Sequence, residues 1–348
     1  MRALDARSGT QVRMAAIVGA LAGLSLLLGG ILFPSGALQG WLIAFVVLTG
    51  LSFGALALLC IGRLTGGKWQ TPAAPALRLA AAASPIWLIA FLPILIGTSF
   101  IFPWSVDPAV VNPDVASLYL HPAFFALRGV ASLLTFAWLA YAVLRRGRGR
   151  LSAALGLVLY AVAIDFLAVD WMLSLAPRFS SSAFGADIAI QQILASLALV
   201  LVLAPKGSDS GDLAGLTLAA TLGTLYMELM SLIVNWYGNQ PERAAWYLER
   251  IADGWLWVAI IALACGALIP IAALMFEKVR NDAGLLRFVG ATILVGIVAH
   301  DVWLMAPSCD WRALPSAFLA LVALGGISFA FANWWLGRID EGRALHAG

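Results

Sequence analysis

Ten long apolar runs dominate this chain, at residues 14–33, 41–62, 79–102, 118–144, 151–175, 187–204, 213–237, 254–276, 284–306 and 313–337. About 20 apolar residues is the length an α-helix needs to cross the hydrocarbon of a bilayer. The runs are continuous and do not alternate, so they do not read as strands of a membrane barrel. Only 11% of the 348 residues are charged and 62% are hydrophobic, against roughly 25% charged residues in a soluble domain. A fold this apolar lacks the polar atoms to cover a water-facing surface. The sequence therefore predicts an all-α polytopic integral membrane protein, one membrane domain over 1–348. It excludes a soluble enzyme, a nucleic-acid binder, a disulfide scaffold and a disordered chain. The first run follows Arg2, Arg7 and Arg13. It is longer than the apolar part of a signal peptide and is read as a retained span.

Charge then orients the spans. With sides numbered alternately from the N-terminus, 16 of the 21 Lys and Arg fall on the N-terminal side, 4 on the other, and Arg128 inside a span. The positive-inside rule makes the N-terminal side cytoplasmic and places both termini there. The cluster Arg145, Arg146, Arg148 and Arg150 is read as a topology anchor. Cys60, Cys265 and Cys309 stand far apart with no C-x-x-C spacing, so they read as small packing residues and carry no metal or haem signature.

Ionisable groups inside spans are costly and are functional candidates by default. Here they are Arg128, Asp165, Asp170, Glu228, His300 and Asp301, with His121 near a span end. At the helical rise, Arg128, Asp165 and Glu228 lie roughly 14–15 Å from the outer surface, Asp170 and Asp301 roughly 8 Å, and His121 about 5 Å. The inner halves of these spans hold almost no charge. The expectation is a mid-membrane cluster of Asp165, Glu228 and Arg128, continued outward by Asp170, His300 and Asp301. It would serve as a site for an amphipathic ligand such as a quinol, or as half of a proton path. The plainer alternative is that Arg128 pairs with Asp165 or Glu228 and only fixes helix packing. A bis-histidine haem would need facing histidines, and within the membrane only His121 and His300 are available, both near the outer side.

Two outer segments are richer than connectors need to be: Asp170 to Gly185, and Asn235 to Trp255. Pro241 near a first turn, followed by mixed charges and aromatics, predicts a short amphipathic helix at the interface. Trp236, Tyr237, Trp246, Tyr247 and Trp255 suit an aromatic belt. An internal echo joins Asp170-Trp171 with Ala176-Pro177 to Asp301, Trp303 and Ala306-Pro307. It suggests two four-helix units, the second to fifth and sixth to ninth spans, with the first and tenth flanking them.

These segments resemble the NrfD-like family of polysulfide-reductase membrane subunits, and more closely the ActF-type subunit of alternative complex III, a bacterial quinol:cytochrome c oxidoreductase. The residues that carry the resemblance are Asp170-Trp171-Met172-Leu173-Ser174-Leu175 with Pro177, Trp236-Tyr237-Gly238-Asn239 with Pro241-Glu242, His121-Pro122 with Arg128, and Asp301 with Trp303 and Pro307. Ala176, Arg178, Phe179, Ser231 and Arg243 depart from the family pattern. The resemblance implies a multi-pass subunit of the bacterial inner membrane that contributes a quinone site or a proton path and has no redox centre of its own. It implies a homologous NrfD-like membrane subunit, a periplasmic iron–sulfur protein and multihaem cytochrome c subunits as partners, with iron–sulfur clusters and haem c confined to them. It also makes Trp171, Pro177, Trp236, Tyr237, Asn239, Pro241 and Glu242 a periplasmic docking motif. Two other functions fit the residues alone: a proton-coupled secondary transporter using Asp165, Glu228 and Arg128, and a purely structural anchor for periplasmic redox proteins.

Overall fold

The computed structural model describes residues 2–145, 149–203, 211–238 and 241–347. Among them ten helices are long and apolar enough to cross a membrane: α1 (Arg2–Leu32), α2 (Pro34–Thr65), α3 (Gln70–Ile96), α4 (Pro122–Arg145), α5 (Arg150–Trp171), α6 (Phe184–Leu203), α7 (Gly211–Gly238), α9 (Trp255–Leu274), α10 (Ala283–Met305) and α11 (Ala313–Ala347). Between α7 and α9 lies the short helix α8 (Pro241–Glu249). The expected all-α, polytopic character is what the chain adopts.

The helices pack in two neighbouring sets that share a broad contact through α2. α2 packs with α3, α4 and α5, and α6 packs with α7 and α10, while α9 joins α10 and the inner part of α7. The two groups meet where α2 and α5 lie against α6. The two flanking helices lie together on one side of the molecule. α1 pairs with α11, and α11 rests on α2 and α3. Surrounded in this way, α2 is the core helix, with Leu42, Ile43, Phe45 and Phe53 shielded from all exterior contact. Phe53 stacks on Phe136 of α4 with ring centroids 3.7 Å apart. In lipid, where burial of apolar side chains brings little gain, close backbone approach drives such packing. At Gly54 a Cβ would fall 2.0 Å from the Gln192 carbonyl oxygen of α6, so only glycine allows α2 and α6 this crossing.

Two helices are irregular, and proline causes both. α3 is interrupted around Pro85 and Pro93, passing through a 3₁₀ turn at Ser84–Ile86. The Trp41 indole N–H donates to the Ala90 carbonyl oxygen at 2.8 Å, so a carbonyl left unpaired by the interruption is satisfied from α2. α9 contains a π-turn at Ala264–Leu268, just before Pro270. Pro270 has no N–H to continue the regular ladder, and the wider turn absorbs the mismatch. On the outer side, α4 begins at Pro122, four residues later than the apolar run at 118. Residues 115–119 form a separate π-turn.

Candidate functional site

The intramembrane ionisable residues form two separate groups, one in each bundle, and not the single cluster expected. In the first, Arg128 of α4 pairs with Asp170 of α5. Its Nε donates to Oδ2 and its Nη2 to Oδ1, both at 2.8 Å. Nη1 donates to the Tyr119 carbonyl oxygen at 2.9 Å. The guanidinium lies between the rings of Tyr119 and Phe124, 3.8 and 4.4 Å from their centroids. Both partners are buried, Asp170 completely. The pairing differs from the expected Arg128 with Asp165 or Glu228 because α4 starts at Pro122. That puts Arg128 roughly 9 Å below its helix end, level with Asp170. The arginine's donors and the carboxylate's oxygens are engaged in this arrangement, which makes the pair a lock between α4 and α5.

Asp165 stands apart from this lock. It lies on an exposed face of α5, packed against Gly185 at the start of α6. His121 is also apart. It is exposed just ahead of α4, where Nδ1 accepts the Ala123 N–H at 3.3 Å, so it caps that helix and does not share a buried face with Arg128.

The second group gathers Glu228 of α7, His300 and Asp301 of α10, and two residues of α6 that the sequence reading did not single out, Asp187 and Gln191. His300 Nε2 lies 2.6 Å from Glu228 Oε1. Gln191 Nε2 donates to Asp301 Oδ1 at 3.1 Å. Asp187 interacts with both Glu228 and His300. Asp187, Gln191 and Asp301 are buried. Asp187 Oδ1, Gln191 Oε1 and His300 Nδ1 are shielded polar atoms with no hydrogen-bond partner among the described residues. Orphaned buried polar atoms of this kind are costly, and three of them stand here beside the His300–Glu228 contact. The signal for Asp187 was present but weak, since it stands at the start of its apolar run. Gln191 carries no charge and so escaped a search for ionisable groups.

This group forms the polar wall of a cavity of about 300 Å³. Glu228, His300 and Gln191 face aliphatic walls that include Leu229, Leu263 and Ile297. The cavity exists because α7 packs against α9 chiefly from the π-turn inward, which leaves their outer halves parted. Leu229, Leu232, Ile251 and Leu263 line it and are exposed, so it opens sideways into the lipid zone. Its inner end is set by Gly296, where a Cβ would fall 2.1 Å from the backbone nitrogen of Gly266 in the π-turn.

α8 roofs the cavity. Tyr247 and Trp303 complete the lining on the outer side. The Tyr247 hydroxyl lies 3.2 Å from Ser231 Oγ and accepts from Asn235 Nδ2 at 3.3 Å. Burial pushes the Tyr247 phenol above its ordinary range, so it stays protonated and able to donate. Trp246 stacks on Phe179 at 4.2 Å. Arg250 is buried with its guanidinium 3.8 Å over the Trp246 ring. It donates through Nη2 to the Leu304 carbonyl oxygen at 2.8 Å and to Ser308 Oγ at 3.1 Å. A cation on the last carbonyls of α10 suits the negative end of that helix. Burial lowers the Arg250 pKa to about 10, which still leaves it charged at neutral pH. The Trp303 indole N–H returns a bond to the Arg250 carbonyl oxygen at 2.8 Å.

The expected docking motif divides in the structure. Trp171 is a core residue, with its ring 4.9 Å from Phe45 and 5.5 Å from Phe91, because the end of α5 turns that position inward. Pro177 is half-buried in the turn after α5. Trp236 and Tyr237 are exposed at the end of α7, and Pro241 opens α8 as a helix-starting proline. Asn239 and the side chain of Glu242 lie outside the described residues. Among those residues no group of three or more His, Cys, Asp and Glu is arranged to hold a metal ion.

Comparison with known proteins finds no family model that matches this chain and no curated protein that matches it. Fold and site define a multi-pass helical membrane protein, and the finer reading rests on the cavity.

Proposed function

We propose that this chain is a quinol-binding membrane subunit of a bacterial quinol:electron-acceptor oxidoreductase, of the alternative complex III type that its sequence resembles. The observation that carries the reading is the His300–Glu228 pair at the polar wall of an otherwise apolar cavity that opens into the lipid. A quinol has that shape of chemistry, with two hydroxyls on a flat apolar ring that arrives from the bilayer. Its hydroxyls would donate to acceptors such as Gln191 Oε1 and Asp187 Oδ1. His300 and Glu228 would take up protons as the ring is oxidised. Oxidation to the quinone releases two electrons and two protons. An iron–sulfur or haem centre of a partner on the outer face would be needed to accept the electrons, and the carboxyls nearby would carry the protons away. In this reading the Arg128–Asp170 pair is structural.

The same reading puts α8 and the turn 176–183 on the periplasmic side and both termini in the cytoplasm, on the basis of the 16-to-4 division of basic residues. Cysteines placed at Ser181 and Ala252 should react with impermeant maleimide from outside, and reaction only from the cytoplasm overturns the orientation.

The binding test uses the purified full chain and two probes kept reduced, decylubiquinol as a benzoquinol and menadiol as a naphthoquinol. Trp303 lines the cavity, so a bound quinol should quench its fluorescence saturably, and Trp303→Phe should remove that component. His300→Ala and Glu228→Gln should each weaken binding about tenfold, the loss expected for one hydrogen bond to a charged group. Unchanged binding of both probes by both variants would show that this cavity is not a quinone site.

A further inference from the structure

A second concavity, of about 520 Å³, lies at the outer surface between the turn joining α5 to α6, the end of α7 and the first turn of α8. Its rim is polar, formed by Arg243, Ser180, Ser181 and Ser182. Its deeper wall carries the apolar side chains of Leu173, Met227, Met230 and Val234, with Ser231 and Asn235 beside them, both engaged with the Tyr247 hydroxyl. Met230 and Val234 are exposed along α7, and Met227 lies roughly 16 Å below the end of that helix. The concavity thus runs from the level of lipid headgroups into the zone of the acyl chains.

Arg243 is the cation of this rim. Its Nη2 donates to Ser180 Oγ at 3.4 Å, and none of the ion pairs among the described residues includes it. Basic residues are scarce on this face, where they have no role in orienting the chain. Of the other three, Arg250 is sealed inside, Arg312 pairs with Asp310 at 3.4 Å, and Arg178 is exposed on the same turn but does not line the concavity. A guanidinium offers a planar fork of N–H donors that matches phosphate oxygens, and hydroxyls donate to the oxygens that remain.

We propose that this concavity binds a phospholipid, with its phosphodiester held by Arg243 and the hydroxyls of Ser180, Ser181 and Ser182, and an acyl chain laid along Met227, Met230 and Val234. The site is separate from the cavity at His300 and does not depend on what that cavity binds. Inorganic phosphate shares the rim chemistry but leaves the apolar wall unused, so the two sources separate in one experiment.

The full chain, purified in detergent and delipidated, is mixed with phosphatidylglycerol, and the bound lipid is counted by native mass spectrometry. About one tightly held lipid per chain is expected to survive the washing. Arg243→Gln should cut its retention about tenfold, and a Ser181→Ala, Ser182→Ala variant should cut it less. Arg178→Gln removes an exposed cation of the same turn outside the concavity and should change nothing. Millimolar inorganic phosphate should not displace the lipid. Equal retention by Arg243→Gln and wild type overturns the proposal, as does equal loss from Arg178→Gln. Displacement by phosphate, with phosphate alone raising the melting temperature of wild type but not of Arg243→Gln, reassigns the rim to free phosphate and overturns the lipid.

Discussion

Replacing Asp170 by Asn tests whether the first bundle is locked by charge. The change keeps the volume and one acceptor but removes the negative charge facing a buried guanidinium. Two N–H donors of Arg128 meet the carboxylate at 2.8 Å, and the side chains of the pair are 6% and 0% exposed. Opposite charges about 4 Å apart interact by roughly 4 kcal/mol at the effective dielectric of such sites. Breaking a buried pair costs about 3–5 kcal/mol because the remaining charge is left uncompensated. Asn still accepts one bond, so the loss should sit near the lower end, about 3 kcal/mol. Arg128→Met should cost a similar amount. The double variant Arg128→Met, Asp170→Asn should cost less than the two singles together, by about 2 kcal/mol or more, since it leaves no buried charge. Reversible unfolding in mixed detergent–SDS micelles, followed by tryptophan fluorescence, measures each value. Asp165→Asn is the control, exposed and outside the pair, and should stay within about 0.5 kcal/mol of wild type. The lock is refuted if Asp170→Asn behaves like Asp165→Asn, or if the two single losses add.

Gly296→Ala should destabilise the chain by about 1–3 kcal/mol in the same assay. Its Cβ would fall 2.1 Å from the Gly266 nitrogen, and α9 and α10 must part to admit it. A stability within 0.3 kcal/mol of wild type, to within about that error, contradicts the observed contact. Burial pushes the Cys309 thiol up to about 12, so at pH 8 about one molecule in ten thousand carries the reactive thiolate. Maleimide should therefore label the half-buried Cys309 far more slowly than it labels a cysteine placed at exposed Ser180, and comparable rates would contradict the raised thiol pKa. This reluctance should persist until the pH approaches the raised value, because the neutral thiol is the form that burial favours.

The number and length of the spans were legible in the sequence because hydrocarbon thickness sets how many apolar residues a crossing helix needs, and no other force in the chain competes with it. The amphipathic α8 was legible for a related reason, since Pro241 and the mixed residues after it suit an interface and nothing else nearby. The partners of the buried charges were not legible. Depth is a single coordinate along a helix, and it depends on where the helix begins. Starting α4 at Pro122 in place of 118 moved Arg128 level with Asp170. The direction a side chain faces is a second coordinate, and only packing decides it. It turned Trp171 into the core and Asp165 to the outside, and it brought Asp187 and Gln191 of α6 beside Glu228 and His300. The cavity needed more still. It depends on a π-turn before Pro270, on two helices touching at Gly266 and Gly296, and on Arg250 holding α8 over the gap. Each of these joins residues far apart in the chain, so hydropathy fixed that the helices cross the membrane, and tertiary contact alone decided which of their polar atoms meet.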